Sequence, residues 1–480
     1  MNEALRIWSA ASVISAWFLG AANVSYGQTV CQDARLTASD PGIFESFGYS
    51  VAVSGDTAIV GAQWDSELGT EAGAAYIFRL DPDRSTWIEQ QKLLASDGDG
   101  GEHFGRSVTI DGDTAMIAAT SHLHNGASGN GSVYVFVYNR STWVEQQEFF
   151  ASDGAIGDVF GQAVSISADV AVIGARFDDD NGAQSGSAYV FRFDPDTEQW
   201  VEEQKLLASD GAFGDFFGRS VAVLGDVVII GADGHDDACR DDPVCNSGAA
   251  YVFRFNPETS QWVEEQKLLA SDTSSQDSFG ESVAISGDLA LIGANGDGVG
   301  SAYVFRFDPK TSTWVQEQKL LPSGGQPEQF GRAAAIDGDT AVIGSPFADG
   351  GGPSSGAAYV FRHDPKTSQW SQQDMLLPDP NPWTNFFGRS VAIDGETTVI
   401  GAHGEDQQRG AAYVFDVALN CACPQDLDAD GSVGVPDLLS LLGSWGPCPP
   451  KGDCPADFDN TGDVGVKDLL ILLGNWGPCP

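Results

Sequence analysis

The chain has 480 residues, of which 68 are acidic and 24 basic, giving a formal charge of −44; yet only 19% of residues are charged and 42% are hydrophobic. That much apolar material can build a core, so a disordered polyanion is excluded. The charge balance also argues against nucleic acid as a partner, because gripping phosphates takes clustered Lys and Arg. Abundant Gly (58) and scarce Met (3) suit strands and turns better than helices.

At the N-terminus Arg6 precedes an apolar run, Ile7 to Ala22, and Ser25-Tyr26-Gly27 supplies small residues at the −3 and −1 positions of a cleavage site. The spacing predicts a secretory signal over residues 1–27, removed before Gln28 and too short for a membrane span. Cys31 lacks a preceding lipobox, and no later stretch is apolar enough to span a bilayer, so no transmembrane segment is expected after processing. An exported chain with eight cysteines is expected to pair them.

Next comes a seven-fold repeat. Phe-Gly recurs at Phe47, Phe104, Phe160, Phe217, Phe279, Phe330 and Phe387, in steps of 51 to 62 residues. Each opens an alternating segment, followed by a tight Gly-Asp hairpin in most repeats and an apolar strand that usually ends in Gly-Ala. A third strand carries Tyr76, Tyr134, Tyr189, Tyr251, Tyr303, Tyr359 or Tyr413; a fourth carries Trp87, Trp143, Trp200, Trp262, Trp314 or Trp370. Four strands in each of seven repeats predict an all-β, seven-bladed β-propeller over residues 31–420. Only six fourth strands follow in order. The seventh is expected from Asp33–Asp40, which matches Glu203–Asp210, so that the first ordered strand closes the last blade. A Cys31–Cys421 bridge would then lock that clasp.

Length and composition vary mainly in the loops from strand two to three and from strand four to the next blade. That face is therefore the expected recognition surface for a protein or glycan. Its longest loop holds Cys239 and Cys245, close enough to staple. The recurrent aromatics are read as packing between blades, whereas Trp64 and Trp383 have no equivalents in other repeats and are ligand-face candidates. The acidic clusters Asp178-Asp179-Asp180 and Asp236-Asp237 are read as solvated loop charge rather than calcium sites.

Phe-Gly at one strand start and Gly-Ala at the next strand's end resemble the FG-GAP repeats of integrin α-chain propellers. That resemblance implies the fold but no single activity. The calcium loops of integrin blades lie between the first two strands, where this chain has a two-residue hairpin, so those ligands are not carried over.

The last sixty residues contain two loops with calcium-binding spacing. The first offers Asp426, Asp428, Asp430, Ser432 and Asp437; the second, 31 residues on, offers Asp457, Asp459, Thr461, Asp463 and Asp468. Side-chain oxygens at loop positions 1, 3, 5 and 12, with the position-7 carbonyl, would hold one Ca2+ in each. Each loop feeds a short helix with an apolar stripe: Leu438, Leu441, Leu442 and Trp445, then Leu469, Leu472, Leu473 and Trp476. Cysteines 423 and 448, and 454 and 479, are each 25 apart, which predicts one bridge per repeat. This segment, 421–480, is similar to a dockerin of the type beginning Cys-Pro and ending Gly-Pro-Cys, and the resemblance implies docking onto a cohesin-like protein. Loop positions 10 and 11, which help choose the cohesin in cellulosomal dockerins, are here Val435-Pro436 and Val466-Lys467.

No catalytic arrangement emerges. The six His residues are scattered, and the Gly-x-Ser-x-Gly match at Gly352–Gly356 lies in a Gly/Pro loop without the strand and helix a nucleophile elbow needs. The expectation is a secreted, non-catalytic adhesion or binding protein of a bacterium, extracellular or cell-surface associated and anchored by its tail. An enzyme of polysaccharide breakdown and a structural surface-layer component are the alternatives.

Overall fold

The computed structural model describes residues 30–122, 129–236, 245–323, 328–350, 352–378 and 385–420; in the tail it describes 425, 427, 432–448, 454–458, 461–474 and 476–478. The expected signal peptide, Cys421 and Trp383 lie outside the described residues.

Seven four-stranded antiparallel sheets form the propeller. Blade 1 runs through Phe47–Ser54, Thr57–Ala62, Ala74–Asp81 and Thr86–Leu93, from axis to rim, and the others repeat it. Second strands are buried on both faces, as in Val170–Ala175, because a neighbouring blade covers each side. Fourth strands alternate, as in Gln261–Leu268, where Trp262 points inward and Val263 outward. Cores lie between blades: Val172, Val190 and Leu206 of blade 3 pack with Phe217, Tyr251 and Trp262 of blade 4. The repeated aromatics are therefore interblade packing, as their recurrence implies.

Blade 7 takes Val30–Leu36 as its outer strand, beside Ala411–Asn420, then Thr397–Ala402 and Val391–Asp394. The ring closes with the start of the chain, as read from the missing fourth strand. Arg35 Nε donates to Glu405 Oε1 at 3.0 Å, and Tyr413 donates to Glu405 Oε2 at 2.6 Å, which ties the closing strand to blade 7.

Both glycines of the repeat have a steric cause. Gly331, in Phe-Gly, has φ +91° and turns its carbonyl against Gly293, the Gly of the preceding blade's Gly-Ala. A Cβ on Gly293 would fall well under 3.0 Å from that oxygen, so at this junction only Gly lets the two blades meet as they do. Ser282 Oγ donates to the same carbonyl at 2.9 Å. In blade 2, where Ala118 replaces this Gly, Ser107 Oγ instead accepts from Val164 N at 3.2 Å.

In the tail, helices Val435–Gly443 and Val466–Gly474 follow the two loops. Ser432–Val433 pairs with Gly477–Pro478, and Gly446–Pro447 pairs with Asp463–Val464. Each helix's exit thus docks on the other repeat's loop. The disulfide follows that crossing: Cys448 bonds Cys454, correcting the expected 423–448 and 454–479 pairs. Cys423 and Cys479 lie outside the described residues. The apolar stripes also need correction. Leu441 and Leu472 are buried with Val433, Ala456 and Val464, and Leu438 and Leu469 pack against them. Leu442, Trp445, Leu473 and Trp476 are exposed, because a two-helix unit this small has an inside for only one side of each helix. Among the described residues no helix is long and apolar enough to cross a membrane.

Candidate functional site

The first strands surround the axis, and the residue after each Phe-Gly opens onto it. In blades 1, 2, 3 and 5 the ladder skips two residues after the Phe, which bulges that residue out of register. In every blade a tight turn sets this residue, as where Arg219 N donates to Phe216 O, Arg332 N to Gln329 O and Arg389 N to Phe386 O, and Tyr49, Arg106, Gln162, Arg219, Glu281, Arg332 and Arg389 form a ring around a cavity of about 220 Å³ at the loop-face end of the channel. Farther along, the first strands themselves line the channel, with Val51, Val108, Val221 and Ile336 turned largely into the cores between blades.

Four of the 24 basic residues of this acidic chain thus stand at one repeat position. Arg176 adds a fifth guanidinium nearby, 4.3 Å over the Phe177 ring. Two carboxylates answer them. Glu281 accepts from Arg219 Nε at 3.1 Å and also meets Arg332; Asp233 lies 3.7 Å from Arg219. Among the described residues the five guanidiniums outnumber the two carboxylates, so this lining is cationic.

The titration behaviour follows from that crowding. Burial, then Arg389 and Arg219, pull Arg332 well below its ordinary value, and burial with Arg219 brings Arg176 down to about 10. Burial raises the Tyr49 phenol, but Arg389, Arg106 and Arg332 overcome it and bring Tyr49 down to about 8. Arg389 Nη2 donates to Tyr49 Oη at 2.8 Å, and the Arg106 guanidinium lies 5.0 Å from its ring. Burial, helped by Arg389 and Arg332, lowers His403 to about 3 and keeps it neutral. Burial raises Asp233 against the pull of Arg219 and Arg176.

A second hollow of about 320 Å³ adjoins the ring, sharing Arg332 and Arg389 and lined by Phe347, Phe386 and His403. Phe386 stacks on His403 with ring centroids 5.2 Å apart, and Phe347 meets Phe386 edge-on at 5.3 Å. Arginines beside an aromatic wall can take a charged group and the apolar face that carries it.

The residues singled out by sequence fare unevenly. Trp64 is half-buried in a loop of blade 1, its backbone N–H donating to Glu45 O, and it does not line the cavity. Cys245 is buried and disulfide-bonded, while Cys239 lies outside the described residues. Asp178 is not solvated loop charge: it is buried, accepting from Tyr189 Oη at 3.2 Å and Lys205 Nζ at 2.9 Å. Asp180 pairs with the same lysine at 2.6 Å. Neither these Tyr–Asp–Lys clusters nor the arginine ring is among the sequence expectations. The signal for the ring was available, as four Arg at one repeat position.

In the tail, Asp426, Asp428, Asp430 and Asp459, with the Ser432 side chain, lie outside the described residues. Asp457 accepts from Thr461 N at 3.0 Å and Gly462 N at 2.8 Å, which winds the second loop around its first carboxylate. Asp468 is buried, accepting from Phe458 N and Gly465 N, each at 2.8 Å. Asp437 accepts equivalently from Leu427 N at 2.6 Å and Gly434 N at 2.7 Å. Each carboxylate oxygen keeps acceptor capacity beyond one amide bond, so this donor set fits a hard cation.

The architecture defines a seven-bladed β-propeller whose axis opens through a charged mouth. The FG-GAP repeat matches residues 30–78, 87–136, 143–191, 200–253, 262–305, 314–361 and 370–415, well over half of the chain, which therefore belongs to the FG-GAP repeat family. It is 27% identical over 144 residues to mouse integrin alpha-2, a match covering 26% of this chain and 12% of that one. The chain thus spans only a small part of that relative. Two solved structures overlap 68% of this chain and 84% of their own. They are a protein assigned as a 6-phosphogluconolactonase from Bacteroides fragilis (12% identity, TM-score 0.46) and a periplasmic gluconolactonase from Pseudomonas aeruginosa (15%, 0.45).

Proposed function

We propose that this is a secreted, non-catalytic binding protein whose propeller takes an anionic ligand at the axial mouth. The observation that carries the reading is the ring of Arg106, Arg219, Arg332 and Arg389, joined by Arg176 and answered, among the described residues, by two carboxylates. Crowded like charges are relieved by a bound anion, and low-dielectric walls strengthen the attraction. Phe386 and Phe347 beside Arg332 and Arg389 favour a ring that bears the anion, as in an acidic polysaccharide. Glu281 is committed to guanidiniums, which supports recognition over acid–base chemistry.

The tail is the proposed anchor. Calcium at Asp457, Asp468 and Asp437, with the other loop oxygens, would fold a dockerin-like unit that engages a cohesin-like partner. Its support is the duplicated surface of Val435, Leu439, Leu442 and Trp445, matched by Val466, Leu470, Leu473 and Trp476, all exposed.

The test is calorimetry of the full chain against polygalacturonate, dextran sulfate and neutral dextran. Binding to at least one acidic polymer, lost at high salt and weakened at least tenfold by R389A, is expected. Equal binding of neutral dextran, or depolymerisation of any of the three, would overturn the reading.

A further inference from the structure

Every blade but the sixth, where Ala348 and Met375 leave the Tyr359 hydroxyl without a partner among the described residues, holds a polar cluster at the loop-face end of its third strand, and one of these clusters differs from the rest. In blade 1, Lys92 Nζ lies 2.7 Å from Asp40 and 2.8 Å from Asp65, with Tyr76 Oη donating to Asp40 at 2.9 Å. Lys205 and Lys319 repeat this in blades 3 and 5. In blade 4, His235 replaces the inner Asp. Its Nδ1 is 3.0 Å from Asp215, while Lys267 Nζ stands 2.6 Å from its Nε2 and 2.9 Å from Asp210. An ammonium therefore occupies the point where the imidazole nitrogen and the carboxylate converge.

Blade 2 has the same frame. Asp97, Glu102, His122 and Tyr134 correspond to Asp210, Asp215, His235 and Tyr251. Tyr134 Oη donates to Asp97 Oδ1 at 2.8 Å, and His122 Nδ1 is held by Glu102 at 3.0 Å. The lysine position, however, is Glu148. The ammonium has become a carboxylate, and three acidic groups now surround one histidine. His122 Nε2 lies 3.4 Å from Glu148 Oε1 and 3.9 Å from Asp97 Oδ2, with all three ligand atoms within 4.8 Å of one another.

We infer that Asp97, His122 and Glu148 form a divalent-metal site, the ion standing where blade 4 holds its lysine ammonium. A tetrahedral ion with bonds of about 2.1 Å separates its ligands by about 3.4 Å, which the existing geometry nearly meets. Glu102 on Nδ1 fixes the tautomer that leaves Nε2 for the metal, the carboxylate–histidine–metal relay that tunes such ligands. One imidazole with two carboxylates suits a zinc-class ion; calcium would want six or more oxygens. Asp97 is half exposed, so the ion has an entry path and an open position on the face that carries the arginine ring.

The experiment is zinc titration of the full chain by calorimetry, with calcium saturating, on wild type, E148K, H122A and K267E. E148K restores the sister blades' lysine and is expected to fold normally while losing one molar equivalent of zinc. H122A should lose the same equivalent. K267E opens the matching position in blade 4 and is expected to gain one. Visible absorption of the cobalt-substituted protein reads coordination independently, and the blade 2 bands should vanish in E148K. Wild type and E148K binding equal amounts of zinc, including none, would overturn the inference.

Discussion

Replacing Gly293 by Ala tests why the ring needs its glycines. A methyl there would meet Gly331 O and Ser282 Oγ, both well under 3.0 Å away, with backbone on the far side. The blade 5–6 junction must open or Ser282 must release its 2.9 Å bond to Gly331 O. Losing that bond costs about 1 kcal/mol. Forcing a methyl into a packed seam costs about 1–3 kcal/mol. Against these, Ala relieves the entropy of Gly in a strand by about 0.5–1 kcal/mol. The net is a destabilisation of about 1–3 kcal/mol, read as a lower midpoint in urea melts followed by tryptophan fluorescence. The reverse change, A118G, acts at the one junction that already accommodates a methyl and should stay within about 1 kcal/mol of wild type. A G293A protein melting at or above wild type would refute the steric account, as would equal losses in both variants.

The closing strand gives a second prediction. R35A strands the Glu405 carboxylate, which is only 5% exposed, and should cost about 2 kcal/mol in thermal melts, less than a fully buried pair because Arg35 is 37% exposed. R35K should recover most of it. Tyr49 gives a pH prediction. Its pKa is depressed to about 8, so the fold favours the phenolate; this contribution to stability grows from about pH 8 to 10 and is lost as pH falls through 8. The phenolate also neutralises part of the ring, so affinity for an acidic polymer should fall above pH 8 in wild type and not in Y49F, measured by binding isotherms. Calcium removal should leave the propeller's melt unchanged and unprotect amides of the tail helices Val435–Gly443 and Val466–Gly474 in hydrogen exchange. Retained protection in chelator would speak against a calcium-folded tail.

The fold was legible because repetition magnifies weak signals. One Phe-Gly or one alternating strand says little, but seven in register with a missing fourth strand specify both ring and closure. The ring of arginines was written in the same register and still escaped. Its charge means nothing until the turn at Phe-Gly brings Arg106, Arg219, Arg332 and Arg389 to one axis, and a count of 24 basic residues against 68 acidic ones hides four that converge. The Asp178 cluster was misread for a related reason. Acidic loop residues are usually wet, and the lysine that buries this one lies 27 positions later on another strand. In the tail, equal cysteine spacing suggested bridges within repeats. Pairing of Gly446–Pro447 with Asp463–Val464 carries Cys448 to the other repeat instead, a crossing that spacing alone does not encode.

The position of Ala411–Asn420 has a mechanical consequence. It is the last strand before the tail, yet within its sheet it is an interior strand, bonded to Val30–Leu36 on one side and Thr397–Ala402 on the other. A pull on the tail runs along this strand, so hydrogen bonds on both edges share the load in shear instead of opening one at a time from a free end. A protein tethered through its tail while its opposite face grips a fixed polymer would be stretched between the two. Under the proposed anchoring, the blade that joins Val30–Leu36 to Ala411–Asn420 would bear that tension.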